Sequence, residues 1–205
     1  KTLTATVSGL TSVNSTVTIS YGAATKLFLS RDATDAVNGV AFGTQPQVVV
    51  QDVSGNTVAN SAISIDVSID TGDVTGTTRI NAVNGVATFS GLKLTGTKGT
   101  YVLTFKANGL TDATQNITVA YGAATKLVLT TSPLGFVNRT NFSTQPVITV
   151  QDVSGNTVEN SAVSIDVAID SGTLTGTTQI AAVNGIATFT ELALIGQVET
   201  PTQSA

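Results

Sequence analysis

The chain has 205 residues, a formal net charge of −4, and 41 % hydrophobic but only 11 % charged residues, so it has enough apolar content for packed cores and too little charge for a disordered chain. It contains no His, Cys, Met or Trp, which excludes disulfides, thiol nucleophiles and imidazole or thiolate metal sites. Nine Lys and Arg without a basic run argue against a nucleic-acid partner, and no apolar run approaches the roughly 20 residues of a membrane span.

An internal repeat of one hundred residues organises the sequence. The segment Tyr-Gly-Ala-Ala-Thr-Lys-Leu at 21–27 returns at 121–127, and Gln-Asp-Val-Ser-Gly-Asn-Thr-Val at 51–58 returns at 151–158. From 21 to 95, 47 of 75 positions are identical one hundred residues later, without a gap. The repeat is therefore predicted to be the structural domain. We call 21–120 the first repeat and 121–205 the second repeat.

The chain begins with a segment that corresponds to the end of a repeat. Residues 2–20 align with 102–120, where alternating apolar residues on both sides of Asn108-Gly109 predict a β-hairpin. We call residues 1–20 the N-terminal hairpin. Its apolar residues are predicted to be buried on assembly: Leu3, Ala5, Val7, Leu10, Val17 and Ile19.

Alternating apolar and polar residues predict the strands inside each repeat. The second copy keeps apolar residues at 148 and 150 but has Thr at 149. Val48 and Val50 are therefore expected to face a core, and Val49 to face away from it. The same alternation places Ile65 inward and Asp66 outward.

Turns rich in Gly and Asn separate these strands. Asn84-Gly85 and Asn108-Gly109 are strong hairpin signals, and no window shows the apolar period of a helix. About seven short strands per hundred residues are typical of an antiparallel immunoglobulin-like sandwich. The predicted fold class is all-β, with two tandem immunoglobulin-like antiparallel β-sandwiches of about 100 residues each.

The repeated motifs resemble a known family. Ala-Ala-Thr-Lys-Leu at 23–27, Thr-Gln-Pro at 44–46, Gln-Asp-Val-Ser-Gly-Asn at 51–56 and Val-Asn-Gly-Val-Ala-Thr-Phe at 83–89 are similar to the tandem bacterial immunoglobulin-like (Big or invasin-type) repeats of surface adhesins and extracellular fibres. The resemblance covers nearly the whole chain. It implies spacers in cell-surface stalks and fibres, or accessory modules of secreted enzymes. Because these motifs are turn and core residues, they specify the fold better than the function.

The two copies differ most at the end of the second repeat. The alignment holds through Gly196, and residues 197–205 then share only Thr200 with 97–105. The second repeat is therefore expected to lack its own last hairpin. The N-terminal hairpin is predicted either to complete the second repeat of a neighbouring copy or to end a preceding repeat of a longer array.

One repeated loop holds the candidate metal ligands. Asp52, Asn56, Asp152 and Asn156 present oxygen atoms that could bind Ca²⁺, although a calcium loop is expected to carry more acidic ligands. The favoured interpretation is an Asx turn, in which the Asp side chain bonds its own backbone. No cofactor is predicted.

Other candidate chemistry is sparse. Paired carboxylates could in principle cleave glycans, but no Trp is present to stack on a sugar and both copies are alike, so no catalytic residue is predicted. Four Asn-x-Ser/Thr sequons are weak glycosylation candidates: Asn14, Asn116, Asn138 and Asn141.

These features predict a non-enzymatic structural protein. The expected role is a subunit or repeat of an extracellular surface fibre, filament or adhesin stalk, with copies of itself as head-to-tail partners and no membrane span. The alternative is an adhesive or glycan-binding accessory module of a secreted protein, with host or surface glycans as partners. Tyr21, Tyr121 and Phe136 are the aromatic candidates for such binding.

Overall fold

A computed structural model describes residues 1–196. In this part of the chain all regular structure is β-strand, arranged in several antiparallel sheets, which confirms the predicted all-β fold class. No helix long and apolar enough to cross a bilayer is found among these residues.

The N-terminal hairpin consists of β1 (Thr2–Ala5) and β2 (Val13–Thr16). The two strands pair antiparallel, and Gly9 in the connecting turn has a φ of +84°, a left-handed conformation that favours glycine. Every residue from 1 to 20 is exposed.

The first repeat has nine strands that enclose one hydrophobic core. They form a four-stranded sheet of order β11-β10-β5-β7, a three-stranded sheet β3-β4-β8 and a pair β6-β9. The strands are β3 (Lys26–Arg31), β4 (Gln47–Gln51), β5 (Ser64–Ile69), β6 (Asp73–Thr75), β7 (Arg79–Asn81), β8 (Val86–Thr88), β9 (Lys93–Thr95), β10 (Gly99–Lys106) and β11 (Ala113–Val119).

The hairpin β10–β11 closes the core of the first repeat. Leu103 and Phe105 on β10 are fully buried, and the rings of Phe105 and Phe89 lie 5.3 Å apart between centroids. β10 pairs with both β11 and β5. Thr111, two residues before β11, accepts a hydrogen bond from Leu27 N (2.9 Å) and donates one to Thr25 O (3.0 Å), so this end of the hairpin runs parallel to β3.

Among its described residues, 121–196, the second repeat has seven strands and no counterpart of β10 or β11. Its sheets are β12-β13-β17, β14-β16 and β15-β18. The core is a separate cluster around Val150, Ile165 and Phe189, while the division into two domains stays a prediction. The strands are β12 (Lys126–Thr131), β13 (Val147–Gln151), β14 (Ser164–Asp166), β15 (Thr173–Thr175), β16 (Gln179–Ala181), β17 (Ile186–Thr188) and β18 (Ala193–Ile195).

The predicted strand phase is correct for the residues that face the core. Val48, Val50 and Ile65 are fully buried, while Asp66 lies at the surface in an ion pair with Arg79.

Val49 lies outside the core cluster, as predicted, but it is not exposed to solvent. Val49 and its counterpart Thr149 are both buried. β4 and β13 are the central strands of their sheets, so side chains of the flanking strands cover their outer face as well. Thr149 satisfies its hydroxyl there through Thr130, with 3.2 Å between the two hydroxyl oxygens.

The strand phase makes a direct stability prediction. Ile65→Asp should unfold the first repeat, because an unpaired carboxylate in this core costs several kcal/mol. Asp66→Asn should change the free energy of unfolding by only about 0–1 kcal/mol, the usual range for an exposed ion pair. Urea unfolding followed by circular dichroism measures both, and equal effects would mean that β5 is out of phase by one residue.

Candidate assembly site

An apolar groove lies open on the second repeat. It has a volume of about 550 Å³, and one of its rings, Phe136, is 59 % exposed and packs edge-on against Phe142. We call this groove the open face. Its lining includes Leu129, Pro133, Phe136, Ile148, Val167 and Ile169.

The hairpin β10–β11 covers the corresponding surface in the first repeat. Leu27 beside β11 is 5 % exposed, whereas its counterpart Leu127 is 55 % exposed. The strand lengths differ between the repeats as well. β5 pairs with β10 and extends to Ile69, whereas β14 has no such partner in residues 121–196 and ends at Asp166. The open face is therefore the position that a final hairpin occupies in the first repeat.

The N-terminal hairpin has the register of β10–β11. Leu3 lies opposite Ser15 just as Leu103 lies opposite Gln115, and each turn is closed by an equivalent backbone hydrogen bond of 3.2 Å. All six predicted assembly residues are exposed, while their counterparts in the first repeat are buried or packed against the core. These six residues are Leu3, Ala5, Val7, Leu10, Val17 and Ile19.

One apolar residue of this set was not predicted. Val13 is exposed, and its counterpart Ala113 is buried. It lies four positions before Val17 on the same face of the strand. The alternation that identified Val17 and Ile19 could therefore have identified Val13 too.

The two repeats meet through a buried polar cluster centred on Asp152. Its Oδ1 accepts hydrogen bonds from the backbone N–H groups of Ser154 and Asn156, and its Oδ2 accepts from Gly122 N and Asn156 Nδ2. A fifth hydrogen bond comes from the other repeat, where Asn38 Nδ2 donates to Oδ2 at 2.8 Å. Asp152 and Asn38 are 0 % and 3 % exposed, so the contact is shielded from water.

Further contacts surround this cluster. Asn156 Nδ2 donates to Gly96 O (3.0 Å), and Asn156 Oδ1 accepts from Lys98 N (2.6 Å). The Lys98 ammonium pairs with Glu159 at 2.7 Å and lies 6.0 Å from the centre of the Tyr121 ring. We call the end of a repeat that carries Gly122 and the loop 152–156, or Gly22 and 52–56, its proximal end. The end with Asn38 and Gly96, or 138 and 196, is its distal end.

Sequence reasoning did not predict this junction. Between positions 30 and 41 the two copies agree only at Val37 and Asn38. Val37 forms a bridge with Ala120, and Asn38 N donates to Ala120 O at 3.0 Å. The retention of these two residues in an otherwise divergent segment was therefore the sequence signal that could have located the junction.

The hydrogen bonds keep both loop aspartates charged. Burial opposes the charge on Asp152, but hydrogen bonds from Asn156, Gly122 and Asn38 outweigh it and lower the pKa to about 2. The pKa of Asp52 is also lowered to about 2, first by the Gly22 N–H and next by the Asn56 side chain. Both residues are therefore carboxylates at neutral pH.

The candidate calcium loops have the geometry of Asx turns. Asp52 Oδ1 accepts from Ser54 N and Asn56 N, and Oδ2 accepts from Gly22 N and Asn56 Nδ2. In residues 1–196 no three acidic side chains come close enough together to hold a metal ion.

The remaining candidate residues lie at separate places in the structure. The four sequon asparagines, at 14, 116, 138 and 141, are all exposed. Of the aromatic candidates, Tyr21 and Phe136 are exposed and Tyr121 is partly buried at the junction. Glycosylation and glycan binding stay predictions.

No protein-family model and no curated protein sequence matches the chain. Similar solved structures include a β-glucuronidase of Parabacteroides merdae (19 % identity over 53 % of this chain, TM-score 0.38) and a β-glycosidase from Bacteroides vulgatus (13 % over 49 %, TM-score 0.39). Domains 4–9 of the surface layer protein SbsC are also similar (14 % over 92 %, TM-score 0.37). The chain spans 15 %, 15 % and 29 % of these three chains. Its structural neighbours thus include both glycosidases and a surface layer protein.

Removal of divalent cations should leave the chain intact. The Asp52 and Asp152 carboxylates are already satisfied by N–H donors, so we expect a chelator to leave the melting temperature unchanged. Thermal unfolding with and without added Ca²⁺ measures this. If the chelator lowered the melting temperature by more than a few degrees, these loops would have to be reconsidered as calcium sites.

Acid should weaken the folded chain through Asp152. Its pKa in the folded chain is about 2, below the ordinary value of 3.8, so the unfolded chain binds the proton first as the pH falls. The stabilisation is complete above about pH 4 and is lost as the pH falls through about 2. Asp152→Asn should cost about 1–3 kcal/mol at neutral pH, because its amide would face N–H donors.

Urea unfolding at several pH values tests this assignment. Asp152→Asn should also reduce the amount by which the free energy of unfolding falls between about pH 4 and pH 2. A variant with the acid profile of the unmodified chain would contradict the role given to Asp152.

Proposed function

We propose that this chain is a non-enzymatic structural component of an extracellular fibre, filament or stalk. In this proposal copies join head to tail, because the N-terminal hairpin of one copy occupies the open face on the second repeat of the next. The observation that carries the proposal is an exposed hairpin and an exposed apolar face whose counterparts are packed together in the first repeat.

The first repeat supplies the register for the donated hairpin. β10 pairs with β5 so that Leu103 faces Ile69 and Phe105 faces Val67. By the same pairing, Leu3 of the donor faces Ile169 and β1 extends the sheet β14-β16. Thr11 then lies beside β12 as Thr111 lies beside β3.

A linked pair of substitutions supports this fit. In the first repeat Gln115 accepts a hydrogen bond from Ala33 N at 2.9 Å and donates one to Ala33 O at 2.7 Å. The open face has Pro133 at the position of Ala33, and proline has no N–H to donate. The N-terminal hairpin correspondingly has Ser15 where β11 has Gln115. A glutamine there would find no N–H donor at Pro133, and the donor hairpin does not carry one.

Burial of the donor provides the driving force. Its larger apolar side chains each contribute about 1.5–3 kcal/mol when fully buried, and the total stability of a domain is only roughly 5–15 kcal/mol. Donation also pairs the backbone groups at the edge of β14. Because donor and acceptor surfaces differ, the contact is heterologous, and it propagates into a linear polymer where the rotation between copies does not close into a ring.

Paired variants on opposite faces of the donor test the proposal. Ile19→Asp should abolish association, because its counterpart Val119 is fully buried, whereas Thr18→Asp should associate normally, because its counterpart Thr118 is exposed. Both side chains are exposed in a single chain, so neither change should alter its melting temperature. Sedimentation velocity over a range of concentrations, with electron microscopy, measures the polymer.

A synthetic peptide of residues 1–20 provides a second arm. In excess it should occupy the open face and shorten the polymers formed by the full chain. Polymers that persist with Ile19→Asp and are unaffected by the peptide would contradict hairpin donation, and so would a chain that stays monomeric at high concentration.

A further inference from the structure

The in-chain junction joins the distal end of the first repeat to the proximal end of the second, and its residues recur at the two outer ends of the chain. Gly22, Asp52, Ser54 and Asn56 repeat the proximal side, and Asn138 with Gly196 repeats the distal side. Asn56 and Gly22 are exposed, whereas Asn156 and Gly122 are buried. Asn138 is likewise exposed, whereas Asn38 is buried.

We infer that these outer ends form a second contact between copies, in which the distal end of one copy's second repeat docks on the proximal end of the next copy's first repeat. Asn138 Nδ2 then donates to Asp52 Oδ2 of the next copy, and Asn56 Nδ2 of that copy donates to Gly196 O. The partner is a second copy of this chain. This inference rests on the proposed donation, because the donated hairpin brings the two ends together.

The chain connection places the two ends in contact. Ala120 N donates to Ala36 O at 2.9 Å and Asn38 N donates to Ala120 O at 3.0 Å, so the end of a hairpin is fastened to the distal end of its repeat. Residues 20–22 follow the N-terminal hairpin as 120–122 follow β11, without insertion or deletion. A hairpin seated in the same register therefore positions Gly22 and the 52–56 loop over Asn138.

Gly22 carries an independent indication of this contact. A Cβ atom on Gly122 would lie 2.6 Å from Asn38 O, so the in-chain junction requires glycine there. For Gly22 the three nearest atoms to such a Cβ all belong to Asp52, at ordinary distances of 3.6 to 4.0 Å. Its φ lies outside the left-handed region, so the space around Gly22 in a single chain would accept alanine. With the Asn138 carbonyl of a neighbouring copy in place, an alanine Cβ at position 22 would clash with it.

The contact between copies differs from the in-chain junction in one respect. Position 59 is Ala where the second repeat has Glu159, so the ion pair that Lys98 makes is not reproduced. The recurring part consists of hydrogen bonds to a carboxylate, which are short-range and directional. It therefore fixes the orientation of one copy on the next, while the hairpin supplies apolar burial.

Gly22→Ala and Asn138→Ala in the full chain test the inference. Each should weaken association between copies by about tenfold, Asn138→Ala through the loss of one well-placed buried hydrogen bond and Gly22→Ala through the clash of its Cβ atom with the Asn138 carbonyl. Gly99→Ala is the matched control, because nothing lies within 4 Å of its added Cβ and its φ is not left-handed. Sedimentation velocity gives the association constants, and thermal unfolding of the monomer checks that all three variants fold.

A fluorescent 1–20 peptide separates the two contacts. It should bind the Gly22→Ala and Asn138→Ala chains as tightly as the unmodified chain, because it lacks Gly22 and the 52–56 loop and its last residue reaches only backbone groups of the distal end, which Asn138→Ala keeps. If both variants associate as strongly as Gly99→Ala, the second contact is overturned and hairpin donation stands. If Ile19→Asp associates like the unmodified chain, donation fails and this inference fails with it.

Discussion

The packing of the hairpin β10–β11 onto the core of the first repeat is the interaction on which the rest of this structure depends. In the first repeat β10 hydrogen-bonds on both sides and places Leu103 and Phe105 in the core. In residues 121–196 no such hairpin is present. β14 there has half the length of β5, and Leu127 is more than half exposed. Within residues 121–196, the lack of such a pair of strands accounts for the shorter β14, the apolar groove and the edge of β14 that pairs with no strand of this range.

The junction contributes orientation, which apolar burial does not. Hydrophobic contacts tolerate sliding and rotation, whereas Asp152 must accept its five hydrogen bonds in fixed directions. A carboxylate that is completely buried is costly unless every such bond is made. The link between Asn38 and Asp152 therefore selects one arrangement of the two repeats among the many that would bury similar area.

The sequence predicted those features that depend on local periodicity. Alternation identified the buried phase of β5 and the hairpin β10–β11, and Asn108-Gly109 located its turn, with Gly109 at a φ of +76°. Alternation placed Val49 away from the core but did not report that it is buried there, because burial on the outer face of a central strand depends on which strands flank it. The contact of Asn38 with Asp152 spans 114 residues, and no local pattern reports such a pair.

The parallel contact between β3 and the segment just before β11 would determine how the first repeat responds to tension applied to the chain. The chain enters beside Thr25 and leaves after Val119, at opposite ends of this pair of strands, because the two strands run in the same direction. Tension on the chain therefore acts along the strands and loads the two hydrogen bonds of Thr111 together in shear, rather than opening them one after the other. A hairpin seated beside β12 in the same way would be pulled lengthwise instead of peeled, so that separating two copies by force would require its apolar side chains to leave the groove nearly at once.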